Sequence, residues 1–101
     1  MSFAMTELSV VRWGEARGII QNGTPVSQMV KLYEETTELF DALIKKDLVE
    51  TKDAVGDILV VLTMICAQLD IDLTTCYQGA YEEIKDRKGY LTPEGIFVKE
   101  K

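Results

Sequence analysis

Residues 47–69 read DLVETKDAVGDILVVLTMICAQL, and this stretch decides the fold. Asp47 can cap the N-terminus of a helix, with Glu50 three residues later in the position of a capping box. The apolar side chains that follow cover nearly every side of such a helix, which is typical of a central helix or a subunit interface. Asp57 interrupts the apolar run, and the run is shorter than the ~20 residues that span a bilayer. The stretch therefore predicts a buried helix of a soluble protein.

Three further helical patterns flank this stretch. They cover residues 6–21, 25–45 and 73–88, and Gly89 is expected to end the last of them. Residues 90–101 contain turn-forming residues and then a short apolar segment, which predicts an extended or hairpin tail. Helices joined by short connections favour an antiparallel bundle. We therefore predict one all-α domain spanning the whole chain, an antiparallel four-helix bundle with a short irregular or extended C-terminal tail.

Charge and composition exclude several classes of function. The chain carries a net charge of −6 and contains no histidine. Sequence-independent binding to DNA or RNA needs clustered basic residues, so no nucleic-acid polymer is expected as a partner. The lack of histidine excludes serine–histidine and cysteine–histidine nucleophilic sites and zinc held by histidine. The N-terminus lacks the pattern of a signal peptide, so we expect a cytoplasmic protein with no membrane partner.

An acidic stripe lies on the predicted central helix. At about 100° per residue, Asp53 lies only about 40° from Asp57, and Glu50 about 20° from it. An isolated ionised carboxylate among apolar residues is costly unless a cation or a donor faces it. We therefore expect a cation or a hydrogen-bond donor on a neighbouring element to face Asp57. Gly56 beside it lowers helix propensity by about 1 kcal/mol, which suggests close approach of a backbone or a ligand.

The preceding predicted helix carries a second acidic stripe. Glu35 and Glu38 are i, i+3 neighbours, and Gln28 and Lys31 continue the same face. If the two helices pack antiparallel, these carboxylates can face Asp53 and Asp57. Such an all-oxygen site suits Mg²⁺, or alternatively Mn²⁺.

Structural roles remain open for the same residues. The glutamates could form a solvated face, with Lys31 and Glu35 as an ordinary i, i+4 ion pair. Glu50 could serve only the helix N-terminus, and Asp57 could make a structural hydrogen bond within the core.

At this point the sequence resembles a known family, the MazG-like nucleotide pyrophosphohydrolases. Residues 31–39 are similar to the family's Glu-Glu-x-x-Glu helix, and residues 53–59 to its second metal helix. The flanks, Trp13 to Ile19 with Gln28 and residues 85–89, resemble short, stand-alone members, including phage-type ones. The resemblance covers nearly the whole chain. One position departs from the family pattern, because Ala54 stands where a metal-binding Glu is normal.

The resemblance implies a homodimer or a dimer of dimers that hydrolyses nucleoside triphosphates to monophosphate and pyrophosphate with Mg²⁺. It implies Glu35, Glu38 and Asp57 as metal ligands, with Asp53 or Glu50 replacing the missing Glu. Glu34 or Glu38 would orient or deprotonate the attacking water.

Basic and aromatic residues are the expected contacts to the substrate. The candidates for phosphate are Lys31, Lys85, Arg87 and Lys88, although the last three could instead balance a helix C-terminus. Trp13 and Arg17 are i, i+4 neighbours that could stack on a base or on each other, unless Trp13 is ordinary core. Gln28 completes the predicted substrate contacts. Two rival functions remain: a non-catalytic acidic interaction module, and a nucleotide-binding regulator without turnover.

Overall fold

The chain folds around the helix that follows Asp47. A computed structural model describes residues 1–100, and Lys101, the end of the predicted tail, lies outside the described residues. The elements are α1 (Phe3–Ala16), α2 (Ile19–Asn22), α3 (Pro25–Lys45), α4 (Leu48–Gln68), α5 (Leu73–Ile84), β1 (Gly89–Leu91) and β2 (Phe97–Lys99). The prediction of a mostly helical chain is confirmed.

Helix α4 is central, as its all-round apolar sequence predicts. It packs against all four other helices, and its longest interface is with α3. Two residues connect α3 to α4, so the two helices run antiparallel. The buried apolar side chains lie mainly on α4, with one on α3; they are Ala42, Ala54, Val61, Met64 and Cys66.

Polar caps fix where the long helices begin. The Thr24 hydroxyl accepts a hydrogen bond from the backbone N–H of Ser27 (3.1 Å), and the Ser27 hydroxyl accepts one from the backbone N–H of Thr24 (3.3 Å). Asp47 accepts from the N–H of Glu50 at 3.1 Å, and Asp72 from that of Thr75 at 2.7 Å. These caps shorten the connections and so set the antiparallel packing of α3 on α4.

Two predicted helix boundaries were wrong. The first predicted helix divides into α1 and α2, because Gly18 adopts a left-handed conformation with φ of 74°. The last helix ends at Ile84 and not at Gly89, which begins β1 instead. A side chain at position 89 would overlap the Val98 carbonyl oxygen and the Phe97 ring, so glycine is needed there by close packing between the strands.

The predicted antiparallel four-helix bundle is not confirmed within one chain. Helix α5 packs against α1 and α4, and within residues 1–100 it makes no contact with α3. The axes of α4 and α5 differ by 102°, and Asp70 in the turn between them has a left-handed φ of 58°. The turn therefore directs α5 away from α3.

The tail forms the short hairpin that its turn residues predict. Strands β1 and β2 are antiparallel, with Tyr90 opposite Val98 and Leu91 opposite Phe97. Within the described part of the chain, neither strand contacts a helix.

No single helix among residues 1–100 is long and apolar enough to cross a membrane. Helices α4 and α5 reach that length and composition only as a sharply bent pair. The cytoplasmic location stays a prediction.

Glu7 is a buried residue that sequence patterns did not single out. Its side chain is 8% exposed, and its carboxylate accepts hydrogen bonds from the N–H groups of Leu73 and Thr74 and from the Thr74 hydroxyl. A carboxylate at a helix N-terminus is favourable, so Glu7 attaches α1 to the start of α5.

Replacing Glu7 with Gln is expected to lower the free energy of unfolding by about 2 kcal/mol, because hydrogen bonds to a charged acceptor are the stronger ones. Urea denaturation followed by circular dichroism measures the change. Glu15→Gln, on the same helix but exposed, is the control and should change stability by less than about 0.5 kcal/mol. Equal stabilities of the two variants would contradict this role of Glu7.

Candidate metal centre

Three carboxylates converge between α3 and α4. Glu35 and Glu38 lie one turn apart on α3, and Asp57 lies on the facing side of α4. One oxygen of each carboxylate lies within 4.8 Å of the others. The antiparallel packing of two acidic stripes is what brings them together. This spacing suits three oxygen ligands around one divalent cation.

Glu35 is the most buried member of the cluster. The residue is 5% exposed, and one oxygen, Oε1, lies 3.4 Å from the Lys31 Nζ. The other oxygen, Oε2, is buried and has no hydrogen-bond partner within residues 1–100. Buried carboxylate oxygens are rarely left unpaired, so Glu35 offers an acceptor that a cation would satisfy.

The cluster is electrostatically strained without a cation. The negative charge of Glu35 raises the pKa of Glu38 above its ordinary value. Burial raises the pKa of Asp57, and the charges of Asp53 and Glu35 add to the effect. Lys31 is the cation that opposes both shifts. Carboxylates that repel one another in this way gain from binding Mg²⁺ or Mn²⁺.

The structure shows some of the structural roles considered above for these residues, but not all of them. Lys31 does pair with Glu35, and also with Glu34 at 3.5 Å. The core hydrogen bond considered for Asp57 is not formed within residues 1–100, where its carboxylate has no hydrogen-bond donor. Asp57 is half-buried beside two other carboxylates instead.

The other predicted acidic residues lie outside the group of three. Glu34 points to Lys31 on an exposed side of α3. Glu50 lines a hollow at the turn between α3 and α4, together with Asp41 and the cluster residue Glu38. Asp53 is close enough to raise the pKa of Asp57. The roles of Glu34, Glu50 and Asp53 in metal binding or catalysis stay predictions.

A mostly apolar groove of about 440 Å³ opens beside Asp57, between α1 and α4. Its walls include Phe3 and Val10 of α1, while Lys52 and Gly56 lie on the α4 side near Asp57. A Cβ atom at position 56 would meet no atom within 4 Å. No neighbouring element therefore occupies the space beside Gly56, and this space is open to a ligand or a partner.

Lys52 is a site residue that sequence reasoning missed. It lies one turn before Gly56 and shares the groove with Asp53 and Asp57. The predicted phosphate contacts were Lys31 and the three basic residues that follow α5. The i, i+4 spacing of Lys52 and Gly56 was the available signal, because it places a cation and a gap on one helix face.

Trp13 lies close to the cluster but is not core. It is 43% exposed and lines a shallow groove with Val10, Val60 and Asp57. The Arg17 guanidinium lies 4.6 Å from the centre of the Trp13 ring, so the predicted pair stacks on itself.

The remaining predicted substrate contacts are distributed differently. Gln28 is half-buried near the start of α3, on the same helix as the cluster. Lys85, Arg87 and Lys88 follow α5, a helix that does not touch α3, and Lys85 pairs with Glu82 at 2.7 Å. Within one chain the structure does not bring these three basic residues to the carboxylate cluster.

The family described as the MazG nucleotide pyrophosphohydrolase domain matches residues 23–92. A protein of Haemophilus phage HP1 (strain HP1c1), named as an uncharacterized 18.2 kDa protein in the rep-hol intergenic region, is 34% identical over 64 residues. That alignment covers 63% of this chain but only 39% of the phage protein. No solved structure matches the chain significantly. The family match contains all three clustered carboxylates and both helices that carry them, and the chain belongs to the MazG nucleotide pyrophosphohydrolase family.

Proposed function

We propose that this protein hydrolyses nucleoside or deoxynucleoside triphosphates to the monophosphate and pyrophosphate, with Mg²⁺ as its cofactor. The observation that carries the proposal is the convergence of Glu35, Glu38 and Asp57 within 4.8 Å. The unpartnered buried oxygen of Glu35 supports it, because the donor set lacks a cation of its own. Family membership supports the same chemistry. A homodimer or a dimer of dimers in the cytoplasm belongs to this proposal.

The three carboxylates fit a hard divalent cation, since all their donor atoms are oxygen. When bound, Mg²⁺ would neutralise phosphate charge and lower the pKa of a bound water. Glu35, Glu38 and Asp57 would hold the ion, with Asp53 or Glu50 as a further ligand, and Mn²⁺ could replace Mg²⁺.

Proton removal is the task of a carboxylate at the edge of the cluster. The attacking water forms a bond to the α-phosphorus as the bond to the bridging oxygen breaks, and pyrophosphate leaves. Glu38 has a raised pKa and is exposed, so it suits a group that orients and deprotonates this water. Glu34, the alternative base, is already paired with Lys31.

The nucleoside has a place in the apolar groove beside Asp57. Its α1 wall can contact a base or sugar, and Lys52 at its mouth can reach a phosphate, alongside Lys31 on α3. The exposed face of Trp13 offers a stacking surface close by.

The test is to incubate the purified protein with Mg²⁺ and each of the eight common NTPs and dNTPs, and to measure pyrophosphate. Release that EDTA abolishes and added Mg²⁺ restores is expected. Mg²⁺-dependent nucleotide binding without release would instead indicate a regulator, a possibility raised by Ala54 in place of the usual Glu. Neither binding nor release would indicate an acidic interaction module.

Gly56→Ala is expected to raise the stability of the fold and to weaken nucleotide binding. The change should raise the free energy of unfolding by up to about 1 kcal/mol, because alanine favours helices and its methyl group meets no protein atom. The same methyl group narrows the groove, so the KM for the preferred nucleotide should rise about tenfold, equivalent to about 1.4 kcal/mol of lost binding.

Gly79→Ala is the matched control. Gly79 is also a mid-helix glycine whose Cβ would meet nothing within 4 Å, but it lies on α5, away from the cluster. It should give the same gain in thermal stability and an unchanged KM. Unchanged kinetics in both variants would show that the nucleotide does not occupy the groove.

A further inference from the structure

Lys31 is the internal cation of the carboxylate cluster. Its ammonium nitrogen Nζ lies 3.4 Å from Oε1 of Glu35 and 3.5 Å from Oε2 of Glu34. Its charge also opposes the raised pKa values of Glu38 and Asp57, so its field reaches all three clustered carboxylates. Within residues 1–100, no other lysine or arginine forms an ion pair with a member of the cluster. Lys31 therefore partly neutralises the cluster when no metal is bound.

The two partners in this ion pair differ in their freedom to move. The Glu35 side chain is 7% exposed and is held where α3 packs on α4, whereas the Lys31 side chain is 55% exposed. An exposed lysine keeps most of its rotamers and can leave a partner at little cost in free energy. Glu34, which is also exposed, gives Lys31 a second partner outside the cluster. Lys31 can therefore leave Glu35 without moving far from the cluster.

Lys31 and a divalent cation compete for the same negative charge. The Lys31 ammonium contacts only Oε1 of Glu35, and Oε2 has no partner within residues 1–100, so the lysine satisfies half of this buried carboxylate. A cation held by Glu35, Glu38 and Asp57 would lie next to a Lys31 that stayed in place. Like charges so close together repel one another, and the exposed lysine is the one that can move away.

We infer that Lys31 is an exchangeable counter-ion of the carboxylate cluster. Lys31 neutralises Glu35 in the metal-free protein, leaves Glu35 when a divalent cation binds, and then binds a phosphate group of the nucleotide. It therefore opposes binding of the metal alone but favours binding of metal and phosphate together. This inference rests on the metal site of the proposed function and specifies how that site links metal binding to phosphate binding.

The first test titrates the full chain with Mn²⁺ alone, without nucleotide, and counts the free ion by electron paramagnetic resonance. Lys31→Met removes the charge but keeps a long side chain, and it should bind Mn²⁺ about fivefold more tightly, the most that an ion pair with an exposed partner contributes. Lys31→Arg keeps the charge and should bind Mn²⁺ no more tightly than the natural protein. Lys99→Met, on the exposed strand β2, is the control for net charge and should change the affinity by less than about twofold.

The second test uses inorganic tripolyphosphate, the part that all eight nucleotides share, and measures its binding by calorimetry at saturating Mg²⁺. Lys31→Met should bind tripolyphosphate about tenfold more weakly, because a charge-assisted contact to phosphate is lost. The same substitution thus strengthens binding of the metal and weakens binding of the phosphate, a pair of opposite effects that a loss of folding does not produce. Circular dichroism should show the same helix content in all three variants.

Equal affinity of Lys31→Met and the natural protein for Mn²⁺, or for tripolyphosphate, would overturn the inference. A fivefold gain in Mn²⁺ affinity for Lys99→Met would also overturn it, because the effect would then be one of net charge. Pyrophosphate release is measured separately. If the predicted affinities are found without any release, the proposed hydrolysis fails and the exchange of Lys31 stands. A natural protein that binds no Mn²⁺ would contradict both.

Discussion

Asp57→Asn is expected to reduce the rate of pyrophosphate release about a hundredfold or more at saturating Mg²⁺. The amide has the shape of the carboxylate but no charge, so it removes one of three anionic ligands without leaving a cavity. A metal supplies several kcal/mol of charge stabilisation in the transition state, and about 2.7 kcal/mol of it corresponds to a hundredfold in rate. Initial rates with the preferred nucleotide, from 0.1 to 20 times its KM, measure the loss in kcat.

Glu83→Gln is the control for the same loss of one negative charge. Glu83 lies exposed on α5, outside the cluster and the groove, and its replacement should leave the rate within about twofold. Below saturation, raising the Mg²⁺ concentration should recover part of the Asp57→Asn rate if the variant also binds Mg²⁺ more weakly. Turnover of Asp57→Asn within threefold of the natural protein would exclude Asp57 as a metal ligand.

Mg²⁺ is expected to stabilise the folded protein in the absence of any nucleotide. At a free concentration of 100 times its dissociation constant, a ligand of the folded state alone adds about 2.7 kcal/mol. Removing Mg²⁺ with EDTA should reverse the gain. Chemical denaturation at fixed pH measures it, with matched ionic strength in NaCl to separate binding from screening.

Without metal, the Asp57→Asn variant should have a higher free energy of unfolding than the natural protein. The variant loses a carboxylate that is repelled by its neighbours, so it should be more stable than the natural protein in EDTA and gain less from Mg²⁺. Glu83→Gln should gain as much as the natural protein. A variant and a natural protein that respond equally to Mg²⁺ would place the ion elsewhere.

The pH dependence of the metal-free protein follows from the same repulsion. The pKa values of Glu38 and Asp57 are raised in the folded state above their ordinary values of 4.5 and 3.8. Between the ordinary and the raised values the folded state binds more protons than the unfolded state, so stability falls as pH rises through that interval. Both groups therefore favour the metal-free fold at low pH, and the stabilising effect of Mg²⁺ should grow as pH rises through the same interval.

The features predicted from the sequence were those carried by periodic patterns. Helix α4 is apolar on nearly every side and is central, and the caps at Thr24, Asp47 and Asp72 mark real helix starts. The two acidic stripes predicted which helices would meet, and Glu35 does face Asp57. Short connections between α3 and α4 leave little freedom, so local sequence was sufficient.

The parts that were missed depend on distant contacts or on single backbone angles. Glu7 binds the start of α5, 66 residues away, and no local pattern signals such a partner. The left-handed conformation of Asp70 directs α5 away from α3. The apolar stripe of a helix contains no information about the direction of the helix axis. Lys52 was overlooked because its role depends on a groove that exists only once α1 packs on α4.

The contacts of α3 limit how structural changes elsewhere in the chain can affect the three carboxylates. Within residues 1–100, α3 touches no helix except α4. Two of the three cluster residues therefore keep their position through a single interface, and a shift of α1, α2 or α5 reaches them only by moving α4. Substitutions in the outer helices are therefore expected to leave the spacing of the three carboxylates unchanged. A substitution at the buried residues Ala42 of α3 or Ala54 of α4 would alter that spacing directly.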